Sequence, residues 1–209
     1  MRKDTTGKGT SKTFLPIYKE RSAPYKAFLF YALLGSGLLF LALSIMFIVW
    51  NSQQITATIV QFPKSFVIST LALLFSSYTL SISRNYHLQD QAQNMLLTLT
   101  ASLLLSLVFI AFQVHAVFSI LDQGLYVNFE VSLLFLYIIT GFHFLHIVVG
   151  TIYLFYLNLK SFDIWKDPVK SLIYFSNKFE GLRFELFCSY WYFSTGLWLF
   201  LFLVFFYSL

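Results

Sequence analysis

Residues 131–157 read VSLLFLYIITGFHFLHIVVGTIYLFYL, and no Asp, Glu, Lys or Arg interrupts them. A helix needs about 20 predominantly apolar residues to cross a bilayer, so this stretch is long enough to span one. Barrel strands would alternate polar and apolar residues over about 10 positions, and this run does not alternate. Four further stretches have the same character: Ala27–Trp50, Ser65–Ser83, Met95–Phe118 and Leu186–Ser208. A charge at mid-membrane costs on the order of 2.5–3.5 kcal/mol even on the insertion scale, so five uncharged runs in one chain predict an all-α integral membrane bundle of five transmembrane helices.

Composition agrees. The 209 residues are 58% hydrophobic and 11% charged, whereas soluble domains carry roughly 25% charged residues. A soluble fold of this size has one core of limited volume and could not bury so much apolar surface. The single cysteine, Cys188, rules out an internal disulfide framework or a cysteine-rich metal site and reads as small apolar packing.

The net charge of +5 is explained by its placement. Arg2, Lys3, Lys8, Lys12, Lys19, Arg21 and Lys26 precede the first span. Arg84 lies in the second connection, and Lys160, Lys166, Lys170, Lys178 and Arg183 lie in the fourth. These segments share one side of the membrane and hold 13 of the 14 cations, with only Lys64 opposite. The positive-inside rule then predicts a cytoplasmic N-terminus and an external C-terminus. Anionic lipid headgroups are the expected counter-charge, and no nucleic acid is needed. The chain divides into a polar cytoplasmic tail, residues 1–26, and one transmembrane domain, residues 27–209. Asp4, Glu20 and the excess of Lys over Arg argue against an organellar transit peptide, and no presequence is expected to have been removed. The connection Asn158–Arg183 is expected to pack on the membrane surface, with Asp167-Pro168 starting a turn or short interfacial helix.

Intramembrane histidines are functional candidates by default. His115 falls near the outer end of the third span. His143 and His146 lie near the middle of the fourth, three residues apart and so on one face. Haem ligation would need histidines at matched depth on two helices, and these depths differ. Hydrogen bonding between helices is therefore the expected role. Copper or zinc would require converging Cys, His or carboxylate groups, and no such set is apparent. Glu130 and Glu185 sit at span boundaries, where each reads as a helix-start carboxylate favoured by the macrodipole. Trp50, Trp191 and Trp198 read as interfacial anchors or packing. No phosphate loop or nucleophile–base arrangement is visible. A small membrane cytochrome or quinone-binding redox protein using these histidines is the competing function class.

Two motifs resemble a known family. The fourth span contains Thr140-Gly141-Phe142-His143-Phe144-Leu145-His146-Ile147-Val148-Val149-Gly150-Thr151, similar to the TGFHGLHVxxGT signature of subunit III of haem-copper (cytochrome c type) oxidases. Phe144 stands where that family has glycine. The last span opens with Phe184-Glu185 and continues Tyr190-Trp191-Tyr192-Phe193, then Trp198-Leu199-Phe200-Leu201. The family pattern there is FE, a spacer, YWHFVD, two residues, then WLFL. Ser76-Ser77-Tyr78-Thr79 and Gln113 fall where the family has an SSxT stretch and a helix-embedded glutamine. Tyr192, Thr195, Ala116 and Ser36 depart from family polar positions. The resemblance covers roughly residues 27–209 and implies a short, five-helix bacterial version. It further implies a non-catalytic core subunit that packs on subunit I, binds phospholipid and supports proton uptake during oxygen reduction to water. By the same resemblance, haems and copper belong to partner subunits rather than to this chain. Subunit II and a wider respiratory supercomplex would be further partners, in a bacterial plasma membrane or a mitochondrial inner membrane. The matching subunit of a quinol oxidase or nitric oxide reductase fits the same motifs. His143, His146, Gly141, Gly150, Gln113, Glu185, Trp191 and Trp198 are the family-motif residues.

Overall fold

A computed structural model describes residues 11–52, 64–122 and 131–208, with side chains from Ala23 onward. The described residues form six helices and no strand: α1 (Ser11–Ser52), α2 (Lys64–Leu88), α3 (Ala92–Asp122), α4 (Val131–Lys166), α5 (Pro168–Ser176) and α6 (Lys178–Ser208). All but α5 are long and apolar enough to cross a membrane, so five spans stand. Each helix outruns its apolar stretch. α4 has 36 residues, about 54 Å at 1.5 Å per residue, against a hydrocarbon core of about 30 Å. The apolar pattern ends at Leu157, but backbone hydrogen bonding carries α4 on to Lys166.

The connection read as a surface loop is therefore mostly helix. α4 continues through Lys166, and Asp167 then caps α5, its carboxylate accepting from Val169 N at 2.9 Å and Lys170 N at 3.4 Å. Pro168 occupies the first turn, where its missing N–H costs nothing. Asn177 closes α5 by donating its N–H to the Tyr174 carbonyl. Its side-chain oxygen accepts from Phe179 N at 3.0 Å and so opens α6. α6 thus begins at Lys178, seven residues before Glu185. This corrects the reading of Glu185 as a helix-start carboxylate; Glu180 is the acid in that first turn. Glu130 lies outside the described residues.

α2 and α3 form a tight hairpin. Gln91 N–H reaches the Tyr86 carbonyl at 3.0 Å and Asp90 N–H the His87 carbonyl at 3.3 Å, with Asp90 at φ 57°. This is a Schellman end in which an aspartate takes the left-handed position usually given to glycine.

α4 and α6 each pack on four other helices. α6 packs on α1, α2, α4 and α5, and its Trp198 meets Phe109 of α3 edge-on. Trp191 and Trp198 are buried, 0% and 1% exposed, so both are core residues rather than interfacial anchors. Trp50 is 42% exposed. The outer face of α4, with Leu145, Val149 and Ile152 exposed, presents the apolar surface that lipid would cover.

Candidate functional site

The α4 stripe His143, Ile147, Gly150 and Leu154 is buried, following helical spacing, and turns both signature histidines toward other helices. His143 is fully buried and stacks on Trp198 with ring centroids 4.8 Å apart and planes at 26°. Phe40 and Phe109 meet it edge-on. Its Nε2–H donates to the Ser194 carbonyl of α6 at 3.1 Å, and Nδ1 is buried with no partner among the described residues.

His146 takes the opposite tautomer. Its Nδ1–H donates to the Phe142 carbonyl at 2.8 Å, which leaves Nε2 to accept from Ser36 Oγ of α1 at 3.3 Å. Ser36, one of the departures from the family's polar positions, thus meets the signature histidine through a hydroxyl–imidazole contact. Tyr190 adds a third link by donating to the His146 carbonyl at 2.8 Å. His115 is not brought to this pair; it meets Ser65 Oγ of α2 at 2.8 Å.

The two motif glycines differ in their surroundings. A Cβ on Gly150 would lie 2.8 Å from a Trp191 ring carbon and 3.1 Å from a Tyr190 ring carbon. The missing side chain is what lets α4 approach α6. A Cβ on Gly141 would meet nothing within 4 Å. Thr195, at the family aspartate position, satisfies its hydroxyl by donating to the Trp191 carbonyl at 2.9 Å.

A ladder of small hydroxyls joins the helices elsewhere. Trp198 Nε1 donates to Thr70 Oγ1 at 3.0 Å, Ser76 exchanges hydrogen bonds with Ser102, and Asn158 donates to Thr100. Ser69 Oγ lies 3.3 Å from Gln113 Oε1. Such pairs are expected where backbone and side-chain polar groups have no water.

At one end of the bundle, charges link separate helices. Glu185 meets Lys26 of α1 at 3.4 Å and Arg84 of α2 at 3.6 Å. Its partners lie on other helices, while Arg183, two residues earlier, turns instead to Glu180 at 3.5 Å. Glu180 also meets Lys160 of α4 at 2.6 Å, and this pair is the less exposed one. Lys160 lies over the Tyr174 ring. Burial first, then the Glu180 carboxylate, holds the Tyr174 hydroxyl above its ordinary pKa, so it remains a neutral donor. His87 was given no role by the sequence. It sits among Tyr174, Phe175 and Phe184, and its buried Nδ1 has no partner among the described residues. Only aromatic residues spread over α5 and α6 could have signalled that cage.

Among the described residues no three of His, Cys, Asp and Glu gather around a common point that could hold a metal ion. Cys188 is free and buried.

Comparison with known proteins bears on the same residues. The chain is 35% identical over 144 residues to a probable cytochrome c oxidase subunit 3 of Rickettsia felis, covering 65% of this chain and 45% of that protein. The Rickettsia prowazekii counterpart is 36% identical over the same extent. A probable quinol oxidase subunit 3 of Staphylococcus aureus is 26% identical over 136 residues, covering 65% of this chain and 63% of that one. The match thus spans under half of the Rickettsia proteins and under two thirds of the Staphylococcus one. The family model described as cytochrome c oxidase subunit III matches residues 27–208, from the first apolar stretch to the last. With most of the chain inside that match, the chain belongs to the cytochrome c oxidase subunit III family.

Proposed function

We propose that this chain is a non-catalytic core subunit of a respiratory haem-copper oxidase, docked on subunit I in a bacterial plasma membrane. The family match over residues 27–208 carries the reading. The engagement of all three intramembrane histidines with serine or backbone groups of the bundle supports it. Haems and copper would reside in the partner subunits, with phospholipid on the exposed apolar faces and subunit II or a larger respiratory assembly beyond. The N-terminus would be cytoplasmic, the tail of residues 1–26 included, and the C-terminus external. That orientation is supported by the clustering of Lys26, Arg84, Lys160 and Arg183 at one end of the bundle through the ion pairs of Glu185 and Glu180. The electron donor, cytochrome c or quinol, would be selected by other subunits.

Affinity purification of the tagged chain from its native membranes in mild detergent tests the assignment. A haem- and copper-containing subunit I should co-purify in fixed ratio. A haem spectrum belonging to the isolated chain, with no larger partner, would transfer it to the class of small membrane cytochromes.

A further inference from the structure

A cleft of about 290 Å³ opens between α3 and α4, lined by Gln113, Thr140, Gly141, Tyr137, Phe118 and Phe144 among others, none of them charged. Gln113 and Thr140 are 1% and 4% exposed, yet Gln113 Nε2 and Thr140 Oγ1 have no hydrogen-bond partner among the described residues. In hydrocarbon an unsatisfied donor is costly. Ser69 shares its one hydroxyl proton between the Phe66 carbonyl at 3.0 Å and Gln113 Oε1 at 3.3 Å; with Oε1 turned to Ser69, the amide presents its N–H groups to the cleft. The two donors sit at one depth: Gln113 is nine residues from Asp122 at the end of α3, and Thr140 nine residues from Val131 at the start of α4. At 1.5 Å per residue that is about 13 Å inward from the helix ends.

We propose that this cleft binds a neutral, membrane-dissolved molecule of the quinone class. Its ring carbonyl accepts from Gln113 Nε2 and Thr140 Oγ1, its ring lies among Phe118, Tyr137 and Phe144, and its apolar tail runs out into lipid. Three observations select this chemistry. Two donors call for an acceptor oxygen. The uncharged lining at this depth disfavours a phosphate or ammonium headgroup. Three aromatic side chains suit a flat ring, and the volume is near the lower end of the roughly 300–1,000 Å³ of small-molecule sites. Gly141 leaves the wall open, because a Cβ there would meet nothing within 4 Å.

The test uses the full chain in phospholipid nanodiscs, with a decyl-substituted benzoquinone as probe and decylbenzene as its carbonyl-free counterpart. Because no partner subunit is needed, the outcome is independent of the oxidase assignment. The quinone should bind saturably, Gln113→Leu and Thr140→Val should each weaken it by about three- to tenfold, and Gly141→Phe should abolish it. Decylbenzene should fail to displace it. Displacement by decylbenzene or added phospholipid would reduce the cleft to an ordinary lipid groove, and variants that bind like the wild type would equally overturn the proposal. Circular dichroism checks that each variant is folded. Gln113→Leu leaves Ser69 its second acceptor, the Phe66 carbonyl at 3.0 Å, and remains decisive should Gly141→Phe misfold.

Discussion

Gly150 and Gly141 carry the same letter in one motif and do different work. At Gly150 an added methyl would press into rings of Trp191 and Tyr190, and Trp191 is wholly buried. Gly150→Ala should destabilise the bundle by about 1–3 kcal/mol, the usual cost of overpacking, as read by thermal unfolding in detergent. Gly141→Ala, with open space before it, should unfold within a degree or two of wild type, at roughly the scale of an unhindered surface change. Equal effects at the two sites would contradict the packing account. His143 and His146 make a second pair to separate. Both have protein partners, so changing both to Gln should leave haem and copper per assembled oxidase unchanged. Loss of haem from complexes that still assemble would reverse that reading. Intramembrane placement and a shared face for these histidines were legible from their spacing. Their opposite tautomers were not: that of His143 is set by the Ser194 carbonyl on a helix distant in sequence, and that of His146 by the Phe142 carbonyl of its own helix.

Among the elements, the five spans were legible because uncharged length is a strong signal in lipid. Their ends were not: outside lipid the apolar pattern lapses, while caps decide where a helix stops. Asp167-Pro168 did announce α5, and the capping by Asp167 gives the reason. Asn177 carried no comparable warning, so α6 starts earlier than the apolar run suggested and Glu185 lies inside it. The roles of the two acids follow. Glu180, partly buried and 2.6 Å from Lys160, should matter more to the stability of the chain than Glu185, whose pairs are about half exposed and individually weak. Glu180→Gln should therefore lower the unfolding midpoint more than Glu185→Gln, and the reverse order would refute the assignment. In the α2–α3 hairpin, Asp90 occupies a left-handed position. Asp90→Gly should stabilise by on the order of 0.5–1 kcal/mol, since glycine removes the steric penalty there while adding freedom to the unfolded chain.

For the whole molecule, motif order and cation placement led to the family and to an orientation, and the family match covers residues 27–208. What one chain could not disclose was the donor ladder between helices, because serines and threonines in an apolar run give no sign of which neighbour they will meet. Reporter fusions after Leu209 and within residues 161–178 should fall on opposite sides of the membrane, and identical readings would reject the orientation. The central claim is that the chain sustains an oxidase whose chemistry lies elsewhere. Its most direct test is oxygen consumption over many turnovers by the purified complex with this chain present and after its removal. The account predicts similar initial turnover and faster inactivation without the chain. Immediate loss of all activity, with subunit I still holding its haems and copper, would contradict it.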